Sequence, residues 1–285
     1  MKTIHTTISI ILCVMIWYSF APVLLAQDNE FENYSFDDDK ATSTKLPYFA
    51  LSFGGNASAL FMKYDDINKK PINHEIGSWK ELFADGSMDF SGPLFGWGIN
   101  LFSALSPLVN NTRLGFSYQT VSQSHETTKT EIMNNKNISV ETNYYRNLSV
   151  SITGVHFDYA FVPFKSLAIL PGIGLKFGTM TLEQYQTTDI VSTWQLTSYE
   201  DLIAFRNENL KYSFASIEPQ LNIEYAITGF LMFRVCGSYA LPFDNPLVKN
   251  VWKVNGNSVY ADVPKGVAPT GFQLAIGLYL GLFNY

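Results

Sequence analysis

Polar and apolar side chains alternate along most of the chain. In "SIEPQLNIEYAI", residues 216–227, every second residue from Ser216 to Glu224 is polar or charged and the residues between them are apolar. "FLMFRVCGSYAL" and "GFQLAIGLYLGL" repeat this pattern further along. Successive side chains of a β-strand point to opposite faces, so the alternation predicts strands with one wet face and one apolar face.

The pattern predicts eight strands, at about 46–61, 92–103, 112–123, 146–161, 167–182, 211–227, 230–242 and 269–285. The links between them are alternately long and short, which predicts up-and-down antiparallel strands with all the long loops at one end. In the fourth strand the phase changes: Leu148, Val150 and Ile152 share one face, while Val155 and Phe157 share the other. A one-residue bulge near Thr153 would bring both sets to the same side.

The direction of the apolar faces decides between a water-soluble and a membrane protein. Eight strands enclose a lumen only just wide enough for side chains, so large residues such as Trp97 and Phe233 do not all fit inside. The opposite arrangement predicts an all-β fold: an eight-stranded antiparallel up-and-down transmembrane β-barrel with a polar, small-residue interior and long extracellular loops. Buried charges then require partners. The predicted interior polar network comprises Glu218, Glu224, Arg234, Lys176, Asp158 and His156.

Composition supports a membrane barrel. The chain has 285 residues, of which 47% are hydrophobic and only 15% are charged, where about a quarter is usual for soluble domains. Residues 40–285 contain no run near the roughly 20 apolar residues of a membrane helix. Aromatic residues near the short links predict an interfacial girdle: Tyr48, Phe161, Phe164, Phe230, Phe283 and Tyr285.

The beginning of the sequence predicts export. Lys2, an apolar run and Ala26 before "QDNE" are typical of a signal peptide spanning 1–26, with an uncleaved anchor helix as the alternative. Residues 27–45 are acidic, without periodicity, and predict a disordered periplasmic leader before a barrel at 46–285. Cleavage leaves Cys236 alone, so no internal disulfide is expected.

The chain from 46 to 285 resembles the small outer-membrane β-barrel proteins of Gram-negative bacteria, the OmpA/OmpX-like families. The final strand, "GFQLAIGLYLGLFNY", carries the resemblance most specifically, with Phe283 and a terminal aromatic, Tyr285, in place of the more usual Phe. The resemblance implies that these two residues form a C-terminal barrel-assembly signal. It also implies an outer-membrane location with periplasmic termini. The implied partners are outer-membrane lipid, the assembly machinery and periplasmic chaperones.

The sequence indicates the fold of the protein more clearly than its function. The leading expectation is a non-enzymatic barrel with an envelope-structural or surface-binding role, because loops on rigid scaffolds carry most binding. Loops without a defined ligand remain an equal alternative, and the loop ligand is unknown. The residues that could form a contact surface are Trp79, Trp194, Tyr199, Trp252, Lys69, Lys70 and Lys80.

Three other function classes remain open. A barrel enzyme that hydrolyses lipid or peptide would need a catalytic histidine, and His156 with Asp158 is the candidate pair. A small channel and a soluble lipocalin-like binding protein are the other two. No cofactor or metal is predicted, since "HEIGS" and "HETTK" lack the second histidine of a zinc motif. A net charge of −6 disfavours nucleic-acid partners.

Overall fold

The computed structural model describes residues 48–68, 86, 88–105, 108–133, 138–189, 206–245, 247–254, 257–259 and 267–285. Its long strands are β1 (Phe49–Met62), β2 (Leu94–Ala104), β3 (Thr112–Met133), β4 (Ile138–Tyr159), β6 (Leu167–Asp189), β7 (Arg206–Ala226), β8 (Leu231–Asp244) and β11 (Gly271–Asn284). Short elements are α1 (Asp65–Asn68), β5 (Phe161–Phe164), β9 (Val251–Val254) and β10 (Asn257–Val259). The predicted signal peptide and leader lie outside the described residues.

The eight long strands form a closed antiparallel barrel. Each pairs with its neighbours in chain order, and β1 closes the ring against β11 from the pair Phe49 and Asn284 to the pair Met62 and Gly271. Residues 48 and 285 therefore lie at one end, here called the terminal end, together with the short links. The other links leave from the opposite end, the loop end. The predicted long link between the third and fourth strands is wrong, because β3 and β4 extend through it and leave only residues 134–137 between them. The predicted strand number and order are confirmed.

The outer wall carries a continuous apolar belt. Its side chains are exposed, between 38% for Phe233 and 66% for Phe95. Other members are Phe53, Trp97, Phe116, Phe157, Ile173, Leu175, Phe177, Ile217, Leu221, Ile223, Leu241, Ile276, Leu278 and Leu280. On β7 the belt runs from Ile217 to Tyr225, about 27 Å along a tilted strand, close to the roughly 25 Å apolar band of outer-membrane barrels. In the part of the chain that the structure describes, no helix is long and apolar enough to cross a membrane.

The predicted bulge in β4 is wrong. Pairing between β3 and β4 keeps one register from Thr112 and Tyr159 to Met133 and Ile138. Leu148, Val150 and Ile152 consequently point into the barrel, whereas Val155 and Phe157 point outward. The apolar face changes sides near Thr153 because the outer wall there leaves lipid for water, while the lumen becomes a packed core.

The lumen near the loop end holds a large apolar cluster, which the predicted polar, small-residue interior did not include. The six predicted polar residues lie between this cluster and the terminal end, and buried polar side chains near the loop end include Arg146 and Gln184. The cluster comprises Leu60, Met62, Tyr64, Ile67, Phe90, Leu94, Val121, Leu148, Val150, Ile152, Met180, Leu182, Leu210, Tyr212, Phe214 and Val267. This core occupies the space that a water channel would need.

The predicted aromatic girdle divides into two groups. Phe161, Phe164 and Phe230 are exposed at the terminal end, as an interfacial girdle requires. The other three, Tyr48, Phe283 and Tyr285, are buried inside the lumen, with the rings of Tyr48 and Tyr285 5.1 Å apart. They belong to the inward face of their strands, so the expectation that they face the membrane is wrong, and they form the floor of the barrel.

Pro219 lies in the belt without disturbing the register. Its pairing with Ile173 of β6 continues the ladder on both sides. The β8 ladder passes from Ile217 to Gln220 in the same register, with no bridge at Pro219. A proline has no N–H to donate, so an interruption of the hydrogen-bond ladder on the β8 side of β7 is expected, and the ladder on the β6 side continues.

Two neighbouring glycines give a matched test of the inward packing. A Cβ on Gly54 would lie 2.4 Å from the Tyr279 ring and from the Leu278 carbonyl oxygen, whereas one on Gly55 would lie 3.8 Å from its nearest neighbour. We expect Gly54→Ala to lower the free energy of unfolding by about 1–3 kcal/mol, since overpacking forces the backbone to shift. Gly55→Ala should leave it nearly unchanged. Urea titration of the barrel in lipid vesicles measures both, and equal effects would contradict the packing described.

Candidate functional site

Arg113 is the centre of a buried charge network above the floor. Its Nε and Nη2 donate to Asp158 Oδ2 at 2.9 and 2.7 Å, and its Nη1 donates to Glu224. Nη1 also donates to Tyr48 Oη at 3.1 Å, and that hydroxyl in turn donates to Glu224 Oε2. All of these side chains are fully buried. Arg113 thus ties β3 to β4, β7 and the N-terminal end of β1.

The structure places all six predicted interior residues inside the barrel and joins them into two groups. His156 Nδ1 lies 2.8 Å from Asp158 Oδ2, and Arg234 Nε lies 3.3 Å from Glu224 Oε1. Both contacts extend the Arg113 network. Lys176 and Glu218 form a separate pair at 2.6 Å.

Sequence reasoning missed Arg113, although the signal for it was present. Arg113 has the same parity as Gly115 and Ser117, the small residues of this strand that alternate with Leu114 and Phe116. Extending that alternation by one step toward the start of β3 places a third cation opposite the carboxylates. The two groups described above then contain three cationic and three anionic side chains, as burial requires.

A small polar chamber lies between the charge network and the apolar cluster. It has a volume of about 40 Å³, enough for a few water molecules. Polar groups that line it without a hydrogen-bond partner include Arg234 Nη1, Gln119 Nε2, Gln273 Nε2 and Asn56 Oδ1. Packed side chains lie on both sides of the chamber, the apolar cluster toward the loop end and the aromatic floor toward the terminal end.

In the described part of the chain, no nucleophilic side chain contacts His156 Nε2, the ring nitrogen that does not face Asp158. His156 Nε2 has no hydrogen-bond partner and packs against Gly115, where a Cβ would approach it to 2.3 Å. Asp158 already accepts from Arg113 and Gln220. The imidazole is therefore held within the charge network, beneath the apolar cluster and away from the outer surface.

At the loop end, Arg146 clamps the connection between β1 and β2 over the lumen. Its Nη2 and Nη1 donate to the carbonyl oxygens of Ile67 at 2.8 Å and Met88 at 2.9 Å, and its Nε donates to Gln184 Oε1 at 3.1 Å. The guanidinium also lies 4.5 Å above the Phe90 ring. The arginine thereby fixes two separate parts of the connection to β4 and β6.

The same connection is tied to itself by a second set of bonds. Asn68 donates to the Phe90 carbonyl at 2.9 Å and accepts from the Phe90 amide at 3.1 Å. Tyr64 Oη donates to the Gly92 carbonyl at 2.7 Å. These bonds and the Arg146 clamp hold apolar side chains of the connection in the barrel mouth.

At the barrel mouth, burial and neighbouring charges lower the pKa values of Arg146 and His125. Burial lowers the pKa of Arg146 to about 10, while Asp89 acts in the opposite direction, so the guanidinium is charged at neutral pH. His125 is the cross-strand partner of Arg146, and its ring lies 5.4 Å from Phe90. Burial, followed by the charge of Arg146, lowers the pKa of His125, and Asp89 opposes this shift.

Acidification is therefore expected to loosen the mouth. In an opened mouth His125 has its ordinary pKa, near 6.5, and in the closed mouth a lower one. The closed form thus loses stability as the pH falls below about 6.5, because the opened form binds the proton first. Hydrogen exchange at the Phe90 amide, corrected for its intrinsic rate, should accelerate between about pH 7 and pH 5. The His125→Gln variant should lose this dependence, and an unchanged profile would contradict the assignment.

Other predicted features are untested or lie outside the described residues. The contact-surface residues are outside the described part of the chain, except Trp252, whose backbone belongs to β9. Cys236 is a free thiol. Among described residues, no group of three or more His, Cys, Asp or Glu side chains is placed to hold a metal ion.

Comparison with known proteins gives likenesses of fold only. No protein-family model matches the sequence, and no curated protein matches it. Ail, the attachment invasion locus protein of Yersinia pestis, is 8% identical over 83% of this chain and 99% of its own, with a TM-score of 0.36. A major outer membrane protein from Thermus thermophilus is 10% identical over 81% and 99%, with a TM-score of 0.41. The outer membrane protease OmpT from Escherichia coli is 9% identical over 84% and 96%, with a TM-score of 0.28.

No residue role is transferred from proteins this distant. The assignment rests on the molecule itself: a closed ring of eight antiparallel strands, a continuous apolar belt on its outer wall and charged groups in its lumen. A closed barrel is the only β-structure that satisfies its backbone hydrogen bonds in lipid. The chain folds as an eight-stranded β-barrel of the outer-membrane type.

Proposed function

We propose that the protein is a non-enzymatic outer-membrane barrel of the OmpA/OmpX-like kind, which serves the envelope as a rigid scaffold for surface binding. The observation that carries this proposal is the closure of the lumen. Arg113 and the aromatic floor fill one end, and the apolar cluster with the Arg146 clamp fills the other. What remains available for interaction is the outer wall and the long connections at the loop end.

The closed lumen counts against a channel. An ion or solute would have to cross packed apolar side chains such as Leu148 and Phe214 and then the buried charges of the Arg113 network. A packed interior makes the barrel stiff, which suits a scaffold that holds binding elements above the membrane.

The interior also counts against catalysis by the predicted histidine. A general base must come within hydrogen-bond reach of the proton that it removes. His156 is enclosed by Gly115, Asp158 and the surrounding strands, so a lipid or peptide substrate does not reach it.

The proposal is tested with the purified protein in lipid vesicles and with the protein displayed on Gram-negative cells. Vesicles should remain impermeable to small sugars, and no lipid or peptide hydrolysis should appear. On cells, short Gly/Ser linkers replace residues 69–85 and 190–205 together. This replacement should abolish any adhesion to cells or matrix that the wild type confers, while the barrel still shifts in mobility on boiling.

Two outcomes would overturn the proposal. Steady single-channel currents in planar bilayers would show that the lumen opens. Hydrolytic activity that disappears in His156→Gln would show that the interior histidine acts on a substrate. Unchanged adhesion after the linker replacement would move the binding surface from the connections to the wall of the barrel.

A further inference from the structure

The outer wall of β3, β4, β6 and β7 continues above the apolar belt as a polar surface. At the row formed by Thr153, Phe177 and Ala215 the outward side chains change from apolar to polar. The distance along β6 from Phe177 to Tyr185 is about 26 Å. Because the strands of such barrels tilt by about 40°, Tyr185 lies about 20 Å above the upper edge of the belt, measured along the barrel axis. The polar wall, as we call it, consists of Glu126, Tyr145, Asn147, Glu183, Tyr185 and Asn209.

An aromatic platform lies at the centre of the polar wall. Tyr145 and Tyr185 are cross-strand partners, with ring centroids 4.5 Å apart and an interplanar angle of 27°. Both are partly exposed, and Glu126 is the partner of Tyr145 on the other side. The platform therefore combines two aromatic rings with an adjacent carboxylate.

A held carboxylate lies in the next row toward the membrane. Glu183 accepts from Asn209 Nδ2 at 3.1 Å through Oε1 and from Asn147 Nδ2 at 3.4 Å through Oε2. The two amides orient both carboxylate oxygens, and each oxygen keeps a further lone pair for a donor from outside. Such a row can accept hydrogen bonds from neighbouring hydroxyl groups.

We propose that the polar wall binds the saccharide of the glycolipid in the outer leaflet. The inference rests on the proposed outer-membrane location. The wall is continuous with the lipid-facing belt, so it meets whatever lies directly above the acyl chains. At about 20 Å above the belt, that layer is the sugar portion of the glycolipid.

The chemistry of the wall favours neutral sugars. Tyr145 and Tyr185 cover one face of each other's ring, so the outer faces and edges of the pair are what can meet the C–H face of a pyranose, and the carboxylate and amides suit its hydroxyl groups. Glu126 and Glu183 share these rows with the exposed Lys253, the cross-strand partner of Asn209, so the wall mixes charges of both signs and suits neutral hydroxyl groups better than a phosphate. The outward side chains described in these rows include no aliphatic residue, so the apolar centre of a protein–protein interface is lacking there.

The test measures binding of lipid-free core oligosaccharide, cleaved from lipopolysaccharide, to the full-length barrel in detergent by saturation-transfer NMR. The paired variant Tyr145→Leu/Tyr185→Leu should weaken binding at least tenfold. Tyr145→Phe/Tyr185→Phe, which keeps the rings, should stay within about threefold of the wild type. Glu183→Gln should weaken binding several-fold without touching the platform.

The matched control is Tyr118→Leu, which removes an outward tyrosine from the belt instead of the polar wall. Tyr118 is the cross-strand partner of Ile99, and its ring centroid lies 5.8 Å from that of Trp97. It should leave saccharide binding unchanged. Equal binding by the wild type and the leucine pair would overturn the inference, as would binding of the intact glycolipid without any binding of the free oligosaccharide. Failure of the proposed function, seen as conductance or hydrolysis, is a separate result that leaves the saccharide measurement intact.

Discussion

Replacing Arg113 by methionine is expected to lower the free energy of unfolding by about 3–5 kcal/mol. The substitution keeps most of the volume but leaves Asp158 and Glu224, both 0% exposed, without their main cationic partner. Two buried carboxylates without a counter-charge cost more than the lost hydrogen bonds alone. Urea titration in lipid vesicles, read from the folded and unfolded bands in electrophoresis, measures the loss.

A compensated variant separates lost charge balance from lost packing. Arg113→Met combined with Asp158→Asn removes one cation and one carboxylate, leaves Glu224 opposite Arg234, and should recover much of the stability. Arg234→Met is the matched single control. It should cost less, because Arg234 makes one bond to Asn222 at 3.0 Å and a 3.3 Å contact with Glu224. If the double variant Arg113→Met/Asp158→Asn were no more stable than Arg113→Met, unpaired charge would not be the cause.

The sequence predicts the number and order of the strands, and their ends at the terminal end, because alternation is a local property. At the loop end the predicted bounds are too short: β3 runs to Met133 and β4 begins at Ile138, where 123 and 146 were predicted. It also indicates which charged residues face inward, since Glu218 and Glu224 share parity with small polar neighbours. Alternation does not reveal where along a strand the membrane ends. The inward turn of Leu148, Val150 and Ile152 therefore resembled a bulge, although the register is unbroken.

Side-chain partners across the barrel are the second part that the sequence leaves open. Arg146 has the same parity as Leu148, so its inward direction follows from the corrected register, but its partners at Ile67 and Met88 come from a different part of the chain. The inward direction of Tyr285 is similarly set by the closure of β11 on β1. Terminal aromatic residues are expected to face lipid, and only the closed ring shows that this one packs on Tyr48.

An arginine in the middle of the belt should be strongly destabilising, whereas the same residue above the belt should be tolerated. Ile173 faces outward, is 54% exposed and lies between Ile169 and Phe177 on β6. Ile173→Arg is expected to cost about 2–4 kcal/mol in vesicles, because the guanidinium must enter the hydrocarbon or distort it. Thr179→Arg, on the same face of the same strand but level with Ser151 and Ser213, should cost about 0–1 kcal/mol.

The pair of variants tests the orientation of the whole barrel. Both positions are outward, so a soluble barrel would accept an arginine at either with little change. Only a lipid boundary near Thr153 and Phe177 makes two positions six residues apart differ. Shortening the acyl chains of the vesicles should reduce the cost at Ile173, since a thinner bilayer brings the interface closer to the charge. Equal costs at the two positions, independent of bilayer thickness, would mean that the outward apolar face does not lie in a membrane.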